Sequence, residues 1–83
     1  MTISQKDRRK IGKEIRQRRL KHKWTQEEFA DIIGCRQSFL SLLEAGKKPL
    51  PLNLARNIDK AFSTDTLFED MVLTLWEAGR DEK

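Results

Sequence analysis

The chain has 83 residues, of which 37% are hydrophobic and 36% charged, with one cysteine and a formal net charge of +4. This length fits one small domain spanning residues 1–83 and excludes a separate catalytic lobe, while a lone cysteine excludes an intramolecular disulfide. The longest apolar run is three residues, far short of the roughly 20 that cross a bilayer. Because nothing at the N-terminus resembles a secretion signal, we expect a helical domain in a reducing cytoplasm, without membrane contact.

The first predicted helix runs from about Gln5 to His22, with Ser4 as its N-cap. Helical spacing predicts three inward positions: Ile11, Ile15 and Leu20. Gly12 lies inside this helix, where glycine costs about 1 kcal/mol relative to alanine. We expect close packing against another helix to compensate for that cost.

Positive charge is concentrated at this end of the chain. Residues 1–24 hold ten Lys or Arg against two acids, whereas residues 64–83 hold two against six. A segment of this kind builds a positive potential that attracts polyanions. The alternatives are a solvated helix face or a membrane-surface helix, and the second needs a broad apolar face that this segment lacks. The charge therefore favours an anionic partner.

The second predicted helix has a well-defined start. Thr25 and Glu28 form a capping box, and Trp24 and Phe29 occupy the two positions of a hydrophobic staple. The helix ends at Gly34, because glycine adopts the left-handed conformation without steric penalty.

Two further predicted helices follow a short turn. The third ends near Gly46 and the fourth begins after Pro51. Both helices are expected to face the core, because they carry several apolar residues: Phe39, Leu40, Leu42 and Leu43 in the third, and Leu54, Ile58, Ala61 and Phe62 in the fourth.

The last predicted helix runs from about Thr66 to Ala78, before Gly79, and Thr66 with Glu69 forms a second capping box. Its apolar stripe is wide: Leu67, Phe68, Met71, Val72, Leu75 and Trp76. The stripe packs either on the core of its own chain or, in part, on a partner subunit. The residues predicted for a dimer interface are Leu67, Met71, Leu75 and Trp76.

The second and third predicted helices form a pattern typical of a helix-turn-helix. Ala30 is small enough for a close helix crossing, Gly34 permits a sharp turn, and apolar residues line the underside of the second helix of the motif. Its outward positions carry polar side chains that suit the donor and acceptor pattern of base edges, or simply a solvated face: Gln37, Ser38 and Ser41.

Over roughly residues 11–62 the chain resembles the Xre family, the Cro and phage-repressor type of helix-turn-helix proteins. The residues that carry the resemblance are Ile11-Gly12, Ile15-Arg16, Arg19, Thr25-Gln26-Glu27-Glu28, Ala30, Gly34, Gln37-Ser38, Ser41, Glu44 and Gly46-Lys47. It implies an all-α, lambda-repressor-like bundle of five helices in a bacterial or phage protein. It also implies that the second helix of the motif enters the major groove of DNA.

The resemblance further implies roles for individual residues. Gln26 would bridge to a phosphate at the start of its helix. Gln37 would pair with an adenine, while Ser38 and Ser41 are less selective base contacts. Arg19 and Glu44 match a structural ion pair of the family. The expected phosphate contacts that carry charge are Arg8, Arg9, Lys10, Lys47 and Lys48.

Two positions depart from the family pattern. Arg36 replaces a small capping residue, and a cation is unfavourable at a helix N-terminus. We expect a phosphate or a guanine to compensate for it, the alternative being a side chain extended into solvent. Leu42 occupies an outward position that is usually polar, and either contacts a thymine methyl group or packs on Phe39.

The residue inventory argues against catalysis and bound metal. With His22 and Cys35 as the only histidine and cysteine, one chain cannot supply the Cys and His ligands of a typical zinc site. Nothing in the sequence places these two side chains together as a nucleophilic pair, and Cys35 is expected to be a packed thiol in the turn. We expect no enzyme activity, catalytic residue or cofactor.

The sequence therefore predicts a regulator of transcription that binds specific double-stranded DNA, as a homodimer on a palindromic operator. One alternative is an antitoxin-like module whose last helix binds a partner protein. Another is the DNA-binding head of a longer regulator, because residues 48–76 resemble actinobacterial family members that continue into a larger domain.

Overall fold

The computed structural model describes residues 4–81, with side chains described through Thr74. This part of the chain is all-α, as predicted, and forms five helices: α1 (Gln5–Lys21), α2 (Gln26–Ile33), α3 (Gln37–Glu44), α4 (Leu52–Phe62) and α5 (Leu67–Asp81). None of the described helices is both long and apolar enough to pass through a membrane.

Helix α1 begins and ends near its predicted bounds, with Ser4 as N-cap and His22 as C-cap. The prediction for Leu20 was wrong, because this side chain is 52% exposed. The inward position is taken by Arg19, which is only 6% exposed. Residue 19 follows Ile15 by four positions and so shares its face, whereas residue 20 is rotated away from it. Helical geometry overrides the hydrophobicity of the side chain here.

Gly12 lies where α1 crosses α3. A Cβ atom at this position would lie 2.3 Å from the carbonyl oxygen of Leu43 and 2.6 Å from that of Glu44. The two backbones therefore approach more closely than any other residue would permit. The predicted compensation for a helical glycine is confirmed, and it fixes α3 directly on α1.

The start of α2 has the predicted caps. Thr25 Oγ1 accepts from the Glu28 N–H at 3.0 Å, and Glu28 Oε1 accepts from the Thr25 N–H at 2.9 Å. The rings of Trp24 and Phe29 stack with centroids 5.5 Å apart, so the hydrophobic staple is present. Helix α2 ends at Gly34 in the left-handed conformation, with φ of 81°.

The core lies between all five helices. Its buried side chains include Ile11, Ile15, Phe29, Ile33, Leu40, Leu43, Ile58 and Phe68. A stack of rings joins α2 and α4 to the C-cap of α1: the centroid of Phe62 lies 4.8 Å from that of Phe29 and 5.4 Å from that of His22. Burial of this apolar surface stabilises the domain and holds α2 and α3 as one unit.

The predicted second capping box is wrong. Thr66 Oγ1 donates to Asp70 Oδ2 at 3.0 Å instead of capping the helix. The cap is provided by Asp59 of α4, whose carboxylate accepts from the backbone N–H groups of Phe68 at 2.8 Å and Glu69 at 3.0 Å. A tertiary contact thus replaces the local pair and ties α5 to α4.

The predicted end of the last helix was also wrong. Helix α5 continues past Ala78 and Gly79 to Asp81. A glycine disfavours the helix by about 1 kcal/mol but ends it only where the backbone turns left-handed.

Candidate nucleic-acid interface

The turn between α2 and α3 is held by backbone hydrogen bonds. The N–H groups of Gly34 and Cys35 both donate to the carbonyl of Ala30 at 2.9 Å. Ala30 is buried, so α3 packs closely against α2. This arrangement is the predicted helix-turn-helix, and it presents one face of α3 outward.

Helix α3 separates apolar from polar residues cleanly. Leu40 and Leu43 are buried in the core, whereas Gln37, Ser38 and Ser41 are exposed. None of these three polar side chains has a hydrogen-bond partner within the described part of the chain. Leu42 is half-buried beside them. The outward face of α3 therefore offers unsatisfied donors and acceptors with one apolar edge.

Arg36 is the N-cap of α3, with φ of −81° and ψ of 149°, and its side chain makes no capping hydrogen bond. It is exposed and has no ion-pair partner among the described residues. The guanidinium adds its charge to the positive end of the helix dipole. The start of α3 is accordingly well suited to an anion or an electron-rich base edge.

A buried ion pair connects α1 to the end of α3. Arg19 Nε lies 2.7 Å from Glu44 Oε2, with the two side chains 8% and 4% exposed. Arg19 Nη2 donates to Glu44 Oε1 at 3.1 Å, and Arg19 Nη1 donates to the Trp24 carbonyl at 2.8 Å. The predicted pair is thus a two-bond contact of fixed geometry.

Gln26 joins this ion pair from the first turn of α2. Its Nε2 donates to Glu44 Oε1 at 3.1 Å, and the side chain is half-buried. The amide is therefore held in place, at the helix end where a phosphate contact is predicted.

The basic residues near α3 come from two segments that meet in space. Arg8 Nε donates to the Gly46 carbonyl at 3.2 Å. A Cβ on Gly46 would lie 2.8 Å from the Arg9 Cα, so the loop after α3 packs tightly on α1. Arg9, Lys47 and Lys48 are exposed. The structure thus brings Arg8 and Arg9 together with the loop that carries Lys47 and Lys48, whereas Lys10 lies on the side of α1 that faces α5.

A groove of about 350 Å³ separates the first turns of α1 from α5. Its apolar lining is formed by Ile11, Leu67 and Met71, and its polar lining by Asp7, Lys10, Asp70 and Thr74. Two predicted dimer residues thus line this groove. The side chains of the other two, Leu75 and Trp76, lie outside the described residues.

A protein-family model described as helix-turn-helix matches residues 15–67, which is more than half of the chain. This chain belongs to the Xre/Cro/lambda-repressor type of helix-turn-helix family. The family consists of DNA-binding transcription regulators and is generally non-enzymatic. Neither the curated proteins nor the solved structures gave a match.

Cys35, in the turn of the helix-turn-helix, has the surroundings of a packed structural residue. It is half-buried and packs against the core. Burial raises the pKa of its thiol, because desolvation disfavours the thiolate. The described residues contain no cluster of Cys, His, Asp or Glu that would hold a metal ion.

Three contacts of this helix-turn-helix domain were missed in the sequence. They are the Gln26–Glu44 hydrogen bond, the Arg8–Gly46 hydrogen bond and the cap provided by Asp59. The first two join residues 18 and 38 positions apart, and no local spacing signals such pairs. Asp59 could have been noticed in the sequence, because it is an acidic residue on the otherwise apolar side of its helix, where a buried carboxylate needs hydrogen-bond donors.

Proposed function

We propose that this domain recognises a specific sequence in double-stranded DNA by placing α3 in the major groove, and that it thereby regulates transcription. The observation that carries the proposal is the outward face of α3, where exposed polar side chains have no partner in the described part of the chain. The close crossing at Gly12 and the burial of Leu40 and Leu43 hold α3 so that this polar face is presented outward.

The proposed base contacts lie at the start and middle of α3. Gln37 pairs with an adenine, and Arg36 contacts a guanine or the adjacent phosphate. Ser38 and Ser41 contact neighbouring base edges, and Leu42 contacts a thymine methyl group. All but Leu42 are exposed in the structure.

The proposed phosphate contacts flank that face on two sides. Gln26 lies at the start of α2, and four basic residues lie around the junction of α1 with the loop after α3: Arg8, Arg9, Lys47 and Lys48. Lys10, also proposed as a phosphate contact, lies on the side of α1 that lines the groove toward α5. Phosphate contacts of this kind fix position and orientation without reading sequence.

We further propose that two copies bind a palindromic operator, with half-sites about 34 Å apart. The interface would include Leu67, Met71, Leu75 and Trp76 of α5. The half-buried state of Leu67 and Met71 beside an open groove supports this assignment.

Selection of bound duplexes from a random pool, followed by titration of the best duplex against salt, tests the proposal. Specific binding predicts a palindromic consensus and a steep negative slope of log affinity against log salt. A pool without any consensus, or affinity that does not depend on salt, would refute it.

The same groove supports a second function, binding of a partner protein in place of a second copy. Sedimentation of the pure chain tests the second copy. A monomer at all concentrations that nevertheless binds DNA half-sites would refute the dimer and leave the groove free for a partner protein.

A further inference from the structure

Glu44 has an unusual place for an acidic residue beside a DNA-binding face. Its carboxylate is buried and accepts three hydrogen bonds, two from Arg19 and one from the Nε2 of Gln26. The Gln26 amide is predicted to contact a phosphate. A carboxylate within hydrogen-bond distance of such an amide would repel that phosphate, unless its own charge is balanced.

Arg19 provides that balance. Its guanidinium forms the two-bond contact with Glu44 at 2.7 and 3.1 Å, so the pair as a whole is neutral. The charge that a phosphate meets at Gln26 is therefore small. With its charge balanced, Glu44 affects its neighbours mainly through its hydrogen bonds, and an ionised carboxylate can only accept them.

That geometry decides the orientation of the Gln26 amide. Since Glu44 can only accept, the amide must turn its NH₂ group, not its carbonyl oxygen, toward Glu44. One N–H is then bonded to Glu44 Oε1 at 3.1 Å, and the second N–H of the same nitrogen is left to donate. A phosphate oxygen needs such a donor.

We infer that Glu44 is a positioning residue for DNA binding, which acts by holding the Gln26 amide with an N–H directed to the phosphate backbone. The inference rests on the proposed function and adds to it a residue that does not contact DNA. Arg19 acts in the same unit by cancelling the charge of Glu44.

The inference is tested by whether one substitution strengthens or weakens binding to a duplex. Glu44→Gln removes a negative charge, and charge alone would strengthen binding to any duplex. If Glu44 positions Gln26, E44Q weakens binding instead, by roughly three- to tenfold, as expected for one lost hydrogen bond. The substituted amide has one acceptor oxygen where the carboxylate has two, and Arg19, which bonds to both oxygens of Glu44, competes with Gln26 for it. The probe is a short duplex of scrambled sequence at fixed salt, because a phosphate contact does not depend on the bases.

Glu27→Gln is the matched control. Glu27 follows Gln26 directly, is exposed, and has no hydrogen bond or ion pair in the described part of the chain. E27Q makes the same chemical change without disturbing the amide, and so should strengthen binding. In a Gln26→Ala background, the weakening caused by E44Q should disappear.

Two results would overturn the inference: E44Q strengthening binding as E27Q does, or E44Q weakening it equally with and without Gln26. Circular dichroism checks that E44Q is folded. If E44Q does not fold, NMR of the unmodified protein provides the test. One Gln26 side-chain N–H should exchange slowly with solvent, and the resonance of the other should shift when the duplex is added. Two fast-exchanging hydrogens, or no shift, contradict positioning. Absence of duplex binding by the unmodified protein would instead refute the proposed function.

Discussion

Residues on and beside α3 divide into those proposed to read bases and those proposed to hold the backbone, and two substitutions separate the roles. Gln37→Ala should weaken binding to the selected operator by about 1–3 kcal/mol while leaving nonspecific binding nearly unchanged. Lys47→Ala should weaken both alike and lower the salt slope by about 1. Titration of each variant with operator and scrambled duplexes checks this. Indistinguishable profiles would refute both assignments.

Because the ion pair between Arg19 and Glu44 is buried, we expect substitution of Arg19 alone to lower the free energy of unfolding strongly. Arg19→Met leaves the Glu44 carboxylate buried without a cation, which costs about 3–5 kcal/mol. Urea unfolding measures the loss.

Arg18→Met is the matched control for that experiment. Arg18 also pairs with a glutamate, at 2.8 Å from Glu14, but those side chains are 35% and 37% exposed. An exposed pair of this kind contributes about 0–1 kcal/mol. Equal losses for Arg18→Met and Arg19→Met would contradict the assigned role of burial.

At the scale of helices, the attachment of α5 depends on Asp59. Its carboxylate accepts from two backbone N–H groups of α5 and from Thr64 Oγ1 at 2.6 Å. Asp59→Asn replaces one acceptor oxygen with an NH₂ group that faces a donor, and should cost about 1–3 kcal/mol. Asp65→Asn is the control, since Asp65 is exposed and lies in the left-handed region that asparagine tolerates. Thermal unfolding of both variants is the measurement, and equal midpoints would contradict the capping role.

A local pattern was sufficient for the start of α2, where both partners of the cap lie within one helical turn. Thr25 and Glu28 lie three residues apart, so their capping box could be predicted from sequence. The cap of α5 could not, because Asp59 lies nine residues before the Phe68 N–H it accepts from. Hydrophobic periodicity missed Arg19 as a core residue for a related reason: the partner that permits its burial is 25 residues away, and only the resemblance to the family indicated the pair.

The candidate site shows the same division. The outward face of α3 follows from helical periodicity, since Leu40 and Leu43 must face the core and thereby fix where Gln37 and Ser41 point. Periodicity gives no information on how α1 meets the loop at Gly46, because that contact depends on packing between distant segments.

At the scale of the whole molecule, α5 should link DNA binding to dimer formation. Met71 lines the groove between α1 and α5. A lysine there would place a charge against the apolar lining of the proposed interface, where desolvation is costly. Sedimentation of Met71→Lys should therefore show a monomer at concentrations where the unmodified chain is a dimer. Leu73→Lys is the control, because Leu73 is exposed and does not line the groove.

The dimer prediction also has a consequence for DNA. A monomeric Met71→Lys variant retains α3 and its basic flanks, so it should still bind a single half-site with unchanged affinity. On the palindrome it should lose the gain that comes from binding two linked half-sites. Band-shift titration of half-site and palindromic duplexes measures both effects, with circular dichroism confirming the fold. A Met71→Lys variant that stays dimeric would place the interface elsewhere, and one that loses half-site binding as well would show that α5 supports α3 directly.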